Sequence, residues 1–262
     1  MGIFDKIFKK DKPVENRAIV RNDAWNFYTY QYEDQGKTFK ALIEFDDMHA
    51  NETNHAILGS GLRLILYVSP EYCSENGLAL RDVAMELLTI QKRLLAGIKS
   101  DSRLVGKMSY GYLVDMAFQT NNISQLKTEL ADIEINHRII KKEFREYENW
   151  AFFDEKIKPD MFYKQKIADR NTIGQLIKAG SDQNAVHELE HFFIGEEERL
   201  QFVSEQLKPQ GFELDYIKEG KMLLTQHLKL DLEEISKHTG KIKMFAEKVG
   251  IIYDGWGTKI VK

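Results

Sequence analysis

The chain has 262 residues, enough for one large domain or two small ones, and its 43% hydrophobic content can build a sizeable core. Its formal net charge of −4 gives no general attraction for nucleic acid, so any such contact needs a local basic patch. Cys73 is the single cysteine, which excludes an internal disulfide and suits a reducing, cytoplasmic setting. No apolar run approaches the roughly 18 to 20 residues that span a bilayer.

Residues 1–14 form an amphipathic tail, with Ile3, Phe4, Ile7 and Phe8 on one helical face and Lys6, Lys9 and Lys10 elsewhere. Charge interrupts the apolar run too early for a signal peptide, and Lys6 stands where a myristoylation motif needs Ser or Thr. About two turns bury little apolar area, which favours docking on protein over a membrane surface.

Trp25–Tyr32 and residues 37–45 flank Glu33-Asp34-Gln35-Gly36 and read as two strands around a turn. Leu62–Val68 is a short buried strand stopped by Ser69-Pro70. Leu80, Val83, Ala84, Leu87, Leu88, Leu94, Leu95 and Ile98 recur at helical spacing. Residues 102–119 look like paired strands, Ile123–Ile133 a second helix, and Ile135–Tyr147 a charged strand. Residues 15–158 are therefore expected to form an α+β domain with two helices against one sheet. Pro159 opens a polar connecting helix over 159–182, stopped by Gly180-Ser181-Asp182.

Residues 183–262 alternate strand and helix. Leu189–Ile194 is a strand. Glu196, Glu197 and Glu198 place acidic charge at the positive end of a helix whose stripe is Leu200, Val203 and Leu207. Lys208-Pro209-Gln210-Gly211 ends it. Phe212, Leu214 and Tyr216 alternate with Glu213 and Asp215 as a half-buried strand. Met222–Leu230 follows as a strand after Glu219-Gly220, and Asp231 with Glu234 caps a helix buried through Leu232, Ile235, Ile242, Phe245 and Val249. Ile251-Ile252-Tyr253 closes the unit, giving the βαββαβ order of a ferredoxin-like sandwich. Beyond it, Tyr253-Asp254-Gly255-Trp256-Gly257-Thr258 suits a fixed terminal hook anchored by its indole, because Trp between two glycines is poor strand material.

His187-Glu188-Leu189-Glu190-His191 matches the zinc-protease pattern, in which two histidines one helical turn apart grip a metal and the Glu acts as base. That chemistry needs a helix, whereas this motif runs into the β-favouring Phe192-Phe193-Ile194. On a strand the two histidines would lie about 13 Å apart, too far for one Zn²⁺. Metal-dependent hydrolysis by His187, Glu188 and His191 is therefore the alternative function, not the leading one. His49 and His55 with Asp46 and Asp47 read as solvated loop residues. Gly59-Ser60-Gly61 precedes a strand and lacks the helix N-terminus that a phosphate loop requires. Cys73 between Glu71 and Glu75 is a poor nucleophile, because negative charge disfavours the thiolate. Trp25, Phe27, Tyr28, Tyr30 and Tyr32 lack interleaved cations on their own strands and read as packing residues. Lys141, Lys142 and Arg145 near Tyr147 form a mildly basic patch offset by Glu143, Glu146 and Glu148.

His191-Phe192-Phe193-Ile194, the Glu-rich helix, Gly211-Phe212-Glu213 and the terminal Tyr253–Thr258 segment follow in order a pattern that resembles the regulator of ribonuclease activity B family, small bacterial proteins that bind and inhibit ribonuclease E. The resemblance covers about residues 185–262. Trp25-Asn26-Phe27-Tyr28 and Trp150-Ala151-Phe152-Phe153 resemble an uncharacterised bacterial domain family often fused to that module. The resemblance implies a non-enzymatic protein-binding regulator that modulates an RNA-processing ribonuclease, without naming the partner. Glu196, Glu197, Glu198, His191, Tyr253, Asp254 and Trp256 are its candidate partner-binding residues. No metal, cofactor or direct nucleic-acid contact is expected.

Overall fold

The computed structural model of the chain describes residues 25–34, 36–46 and 57–262. The amphipathic tail, Asp47, His49 and His55 lie outside them. β1 (Trp25–Asp34) and β2 (Lys37–Asp46) form the expected hairpin, and alternation along β2 buries Ala41, Ile43 and Phe45 on one face. β3 (Ser60–Val68), α1 (Arg81–Gly97), β4 (Ser102–Tyr110), β5 (Leu113–Thr120), α2 (Ile123–Glu129) and β6 (Ile139–Glu148) complete the N-terminal unit. Its six strands are all antiparallel, in the order β1-β2-β4-β5-β3-β6. Gly61 opens β3 because the ring of Tyr147 fills the space a side chain would need there.

As expected, α1 and α2 cover one face of this sheet, packing Val83, Leu87, Leu94 and Leu126 onto Leu62, Leu64 and Leu66. α2 is shorter than the sequence pattern suggests. Leu130 and Ile133 turn into the core, and the Lys142 ammonium takes the freed carbonyls of Ala131 and Ile133. Part of the opposite face is covered by Trp150, Phe153 and Ile157, which pack on Tyr28, Ile43, Phe45 and Val105.

α3 (Met161–Lys178) is the expected polar helix, capped by Asp160 and ended at Gly180 in a left-handed conformation. It touches both units. Tyr163 packs on Tyr28, and Arg170 donates to the Phe27 carbonyl while lying over that ring. Its other flank lies along α5 (Leu232–Val249). The C-terminal unit adds β7 (Val186–Ile194), α4 (Glu197–Leu207), β8 (Glu213–Lys218), β9 (Lys221–Lys229) and β10 (Ile252–Gly257). The order β10-β7-β9-β8, antiparallel at every pairing, makes two interlocked split βαβ units with both helices on one face.

The terminal segment is not a hook detached from the sheet. Tyr253 to Gly257 continues β10 through a bulge at Gly255, whose φ is +104°. Tyr253 pairs with Phe193, Gly255 with Phe192 and Trp256 with His191, so one extra residue shifts the pleat. Without the bulge Trp256 would face solvent. With it, the indole turns under α3 and donates to Asp169 Oδ1 at 2.9 Å.

Asp169 is fully buried and also accepts from Gln165 Nε2 at 2.8 Å and from Thr239 Oγ1 of α5 at 2.7 Å. A buried carboxylate is tolerated when its oxygens are satisfied in this way. Removing it strands two buried donors and the half-buried indole N–H, each costing about a kilocalorie or more. Asp169→Ala should therefore lower the unfolding free energy by about 3 kcal/mol in urea titrations at pH 7. A loss below about 1 kcal/mol would remove this hub from the account of stability.

Candidate functional site

The histidine motif lies along β7, as its β-favouring tail implies. His187 and His191 point to the helix-covered side and are fully buried, whereas Glu188 is exposed on the other face. His187 Nε2 lies 2.9 Å from the Asp182 carbonyl, and His191 Nδ1 lies 2.9 Å from the Tyr253 hydroxyl. The two rings serve separate packing sites. His191 stands edge-on to Phe212 and stacks on Tyr253 at 6.1 Å, and it has no carboxylate beside it to raise its basicity. The motif thus supplies neither a shared metal position nor a base aimed at one. Cys73 offers no nucleophile either, since burial pushes its thiol pKa up.

The open face of the same sheet is different. Strand parity points Phe192 and Ile194 of β7, Leu223 of β9, Tyr216 of β8 and Ile252 of β10 away from the helices. Ile252 pairs with Ile194, and Phe192, Leu223 and Tyr216 stand in one row across three strands. Ile252 is 61% exposed, Tyr216 42%, Ile194 39% and Phe192 37%, while Leu223 is shielded by its neighbours. Contiguous apolar surface of this kind marks an interaction site more often than scattered single residues do. Charged residues of both signs ring it: Glu188 and Glu190 on β7 and Asp254 on β10, with Lys221 on β9 opposite Ile194, Lys218 on β8 opposite Lys221, and Lys229 opposite Val186.

The residues singled out from sequence therefore separate. Glu196, Glu197, Glu198 and Asp254 are exposed, Asp254 at the margin of the open face and the three glutamates at the start of α4. His191 and Tyr253 are buried in the sandwich, so neither presents a surface to a partner. Trp256 is half-buried and committed to Asp169. Sequence reasoning missed the apolar row, although the signal was present. Consecutive apolar residues on a strand, as in Phe192-Phe193-Ile194 and Ile251-Ile252, must point to both faces. It also took Leu214 and Tyr216 as half-buried, whereas a bulge between them leaves both largely exposed.

Burial, aided by the nearby His238, drives the His191 pKa down to about 3 from its ordinary 6.5. His238 is shifted in the same direction, again chiefly by burial. A base with a depressed native pKa stays neutral while its unfolded counterpart protonates. Stability is therefore present above about pH 6.5 and lost as pH falls toward 3. Between pH 7 and 5 His191 should account for about 2 kcal/mol of that loss. Urea unfolding of His191→Gln should show a fall over the same interval that is smaller by this amount. Equal falls in both proteins would contradict it.

Comparison with known protein families places this unit. The family model for regulator of ribonuclease activity B matches residues 166–258. The match begins within α3, ahead of the strand where the motif pattern starts, and so takes in Asp169. Among relatives, the regulator of ribonuclease activity B of Aeromonas hydrophila subsp. hydrophila is 31% identical over 96 residues, covering 33% of this chain and 84% of its own. The protein of the same name from Proteus mirabilis is 30% identical over 105 residues, covering 36% and 73%. That from Xenorhabdus nematophila is 27% identical over 110 residues, covering 38% and 78%. Through this C-terminal region, the chain belongs to the regulator of ribonuclease activity B family.

Proposed function

We propose that this protein is a non-enzymatic, cytoplasmic regulator that binds an RNA-processing ribonuclease through the open face of its C-terminal sheet. The relatives' shared name supplies the class of target. The observation that carries the binding mode is the exposed row of Phe192, Tyr216, Ile194 and Ile252. Aromatic and branched side chains in a patch rimmed by polar groups have the composition of a binding hot spot. The rim carries both signs, Glu188, Glu190 and Asp254 against Lys218, Lys221 and Lys229. Such a rim fixes the orientation of a charged partner surface more than it adds affinity.

This assigns residues 183–262, together with the α3 helix that carries Asp169, to the regulatory module. The described part of residues 15–158 reads as a separate domain held to it by α3. Binding alone, with no bond made or broken, accounts for the regulation, and the module's buried histidines contribute packing.

The test is inhibition of a purified ribonuclease from the same organism on a defined RNA substrate. The intact protein should slow cleavage in a saturable way. Phe192→Asp combined with Ile252→Asp should weaken inhibition by thirtyfold or more, as expected when roughly 2 kcal/mol of anchor energy is lost. Charge reversal at Glu196, Glu197 and Glu198 should weaken it less and mainly through slower association. Unaltered inhibition by the folded Phe192/Ile252 variant would remove the open face from the proposal.

A further inference from the structure

The sheet of the N-terminal unit also has a face that its covering segments leave partly open. Trp150, Phe153 and Ile157 cover one end of it. At the other end Tyr30, Tyr32, Arg63, Met108, Tyr110 and Phe152, with Lys156 at the rim, line a cavity of about 350 Å³. That lies within the range of small-ligand sites. Its floor is low beside Tyr30 because the residue paired with it on β2 is Ala41.

The cavity combines rings with cations that lie far apart in sequence. Tyr30 and Tyr32 of β1 stand with their centroids 6.1 Å apart. Tyr110 of β4 lies within electrostatic reach of Tyr30, Arg63 and Arg145. The Arg63 guanidinium sits 3.9 Å from the Phe152 ring centroid, forming a flat cationic wall. Arg63 is directly opposite Arg145 in the β3–β6 pairing. The like charges are each offset by a carboxylate, Asp115 for Arg63 and Glu143 for Arg145.

The carboxylates nearby are already engaged. Asp115 is fully buried and ion-paired with Arg63, whose Nε lies 3.1 and 3.2 Å from its two oxygens. Glu143 is held by Arg145, Tyr67 and Lys141, which together keep its pKa down to about 2. At the rim, exposed Lys156 makes no ion pair among the described residues, and Arg63, though paired with Asp115, keeps a guanidinium face on the Phe152 ring. Aromatic platforms beside cations are what a stacked base and its phosphate require.

We infer that this cavity is a nucleotide-binding site, in which a base stacks among Tyr30, Tyr110 and Phe152 while its phosphate meets Lys156 beside Arg63. The chemistry fits a free nucleotide or an unpaired nucleotide of a single-stranded RNA. A duplex, whose bases are already stacked, cannot use the rings. The site is independent of the C-terminal sheet, and its failure would leave the partner-binding proposal untouched.

Fluorescence anisotropy of the full chain with a labelled twelve-nucleotide oligouridylate tests this, alongside a direct calorimetric titration with uridine monophosphate and a labelled duplex of the same length as comparison. The single strand should bind saturably and weaken as salt rises from 50 to 200 mM, and the duplex should bind at least tenfold more weakly. Tyr30→Ala with Tyr110→Ala should reduce affinity tenfold or more. Lys156→Glu, an exposed change that leaves the core intact, should reduce it several-fold, and Lys92→Glu on the far side of the sheet should not. If only the monophosphate binds, and with the same dependence on Tyr30, Tyr110 and Lys156, the ligand is a free nucleotide. Absence of saturable binding by either probe, equal affinity for the duplex, or indifference to Lys156→Glu would overturn the assignment.

Discussion

The C-terminal architecture depends on one carboxylate. Asp169 sits in the dry interface between α3 and α5 with no cationic partner among the described residues, satisfied by an amide, a hydroxyl and an indole. Ion pairs in such places are exchangeable for apolar packing, but a lone carboxylate demands all its donors at once. The demand fixes three elements relative to one another: the connecting helix, the last helix and the final strand. The family match, which extends back to residue 166, includes this carboxylate. A module cut at the first strand would leave Trp256 and Thr239 facing nothing.

Most of the secondary structure was legible because local signals agreed. Asp231 caps α5 by accepting from the Glu234 amide at 2.8 Å, and Gly250 ends that helix in a left-handed conformation. The βαββαβ order followed from alternation between periods of two and 3.6 residues. What could not be read was parity. Bulges at Gly255 and between Leu214 and Tyr216 each reverse which side a residue faces, and no local composition announces them in advance. The indole was recognised as an anchor but assigned to a hook. Its acceptor, 87 residues earlier, is a long-range fact.

The candidate sites show the same division. The histidine motif could be dismissed from sequence because the chemistry of the pair depends on local geometry alone. Tyr30, Arg63 and Tyr110 come from three strands and Lys156 from the helical turn after β6, and none carries a signal by itself. Only the order β1-β2-β4-β5-β3-β6 brings the strand residues to one face. The two sheets leave different free faces, one an apolar row with charges of both signs at its rim, the other aromatic rings beside Arg63 and Lys156.

The bulges have a further effect on how molecules of this chain meet one another. A sheet with a greasy outer surface invites copies to add strand by strand along its unpaired margins. Here one margin is β8, only six residues long and kinked near its middle, and the other is β10, broken at Gly255. Neither offers the straight run of amides that templated stacking requires. The exposed hydrophobic row is thus accessible face-on, and the bulge that orients Trp256 also works against strand-by-strand growth along that edge.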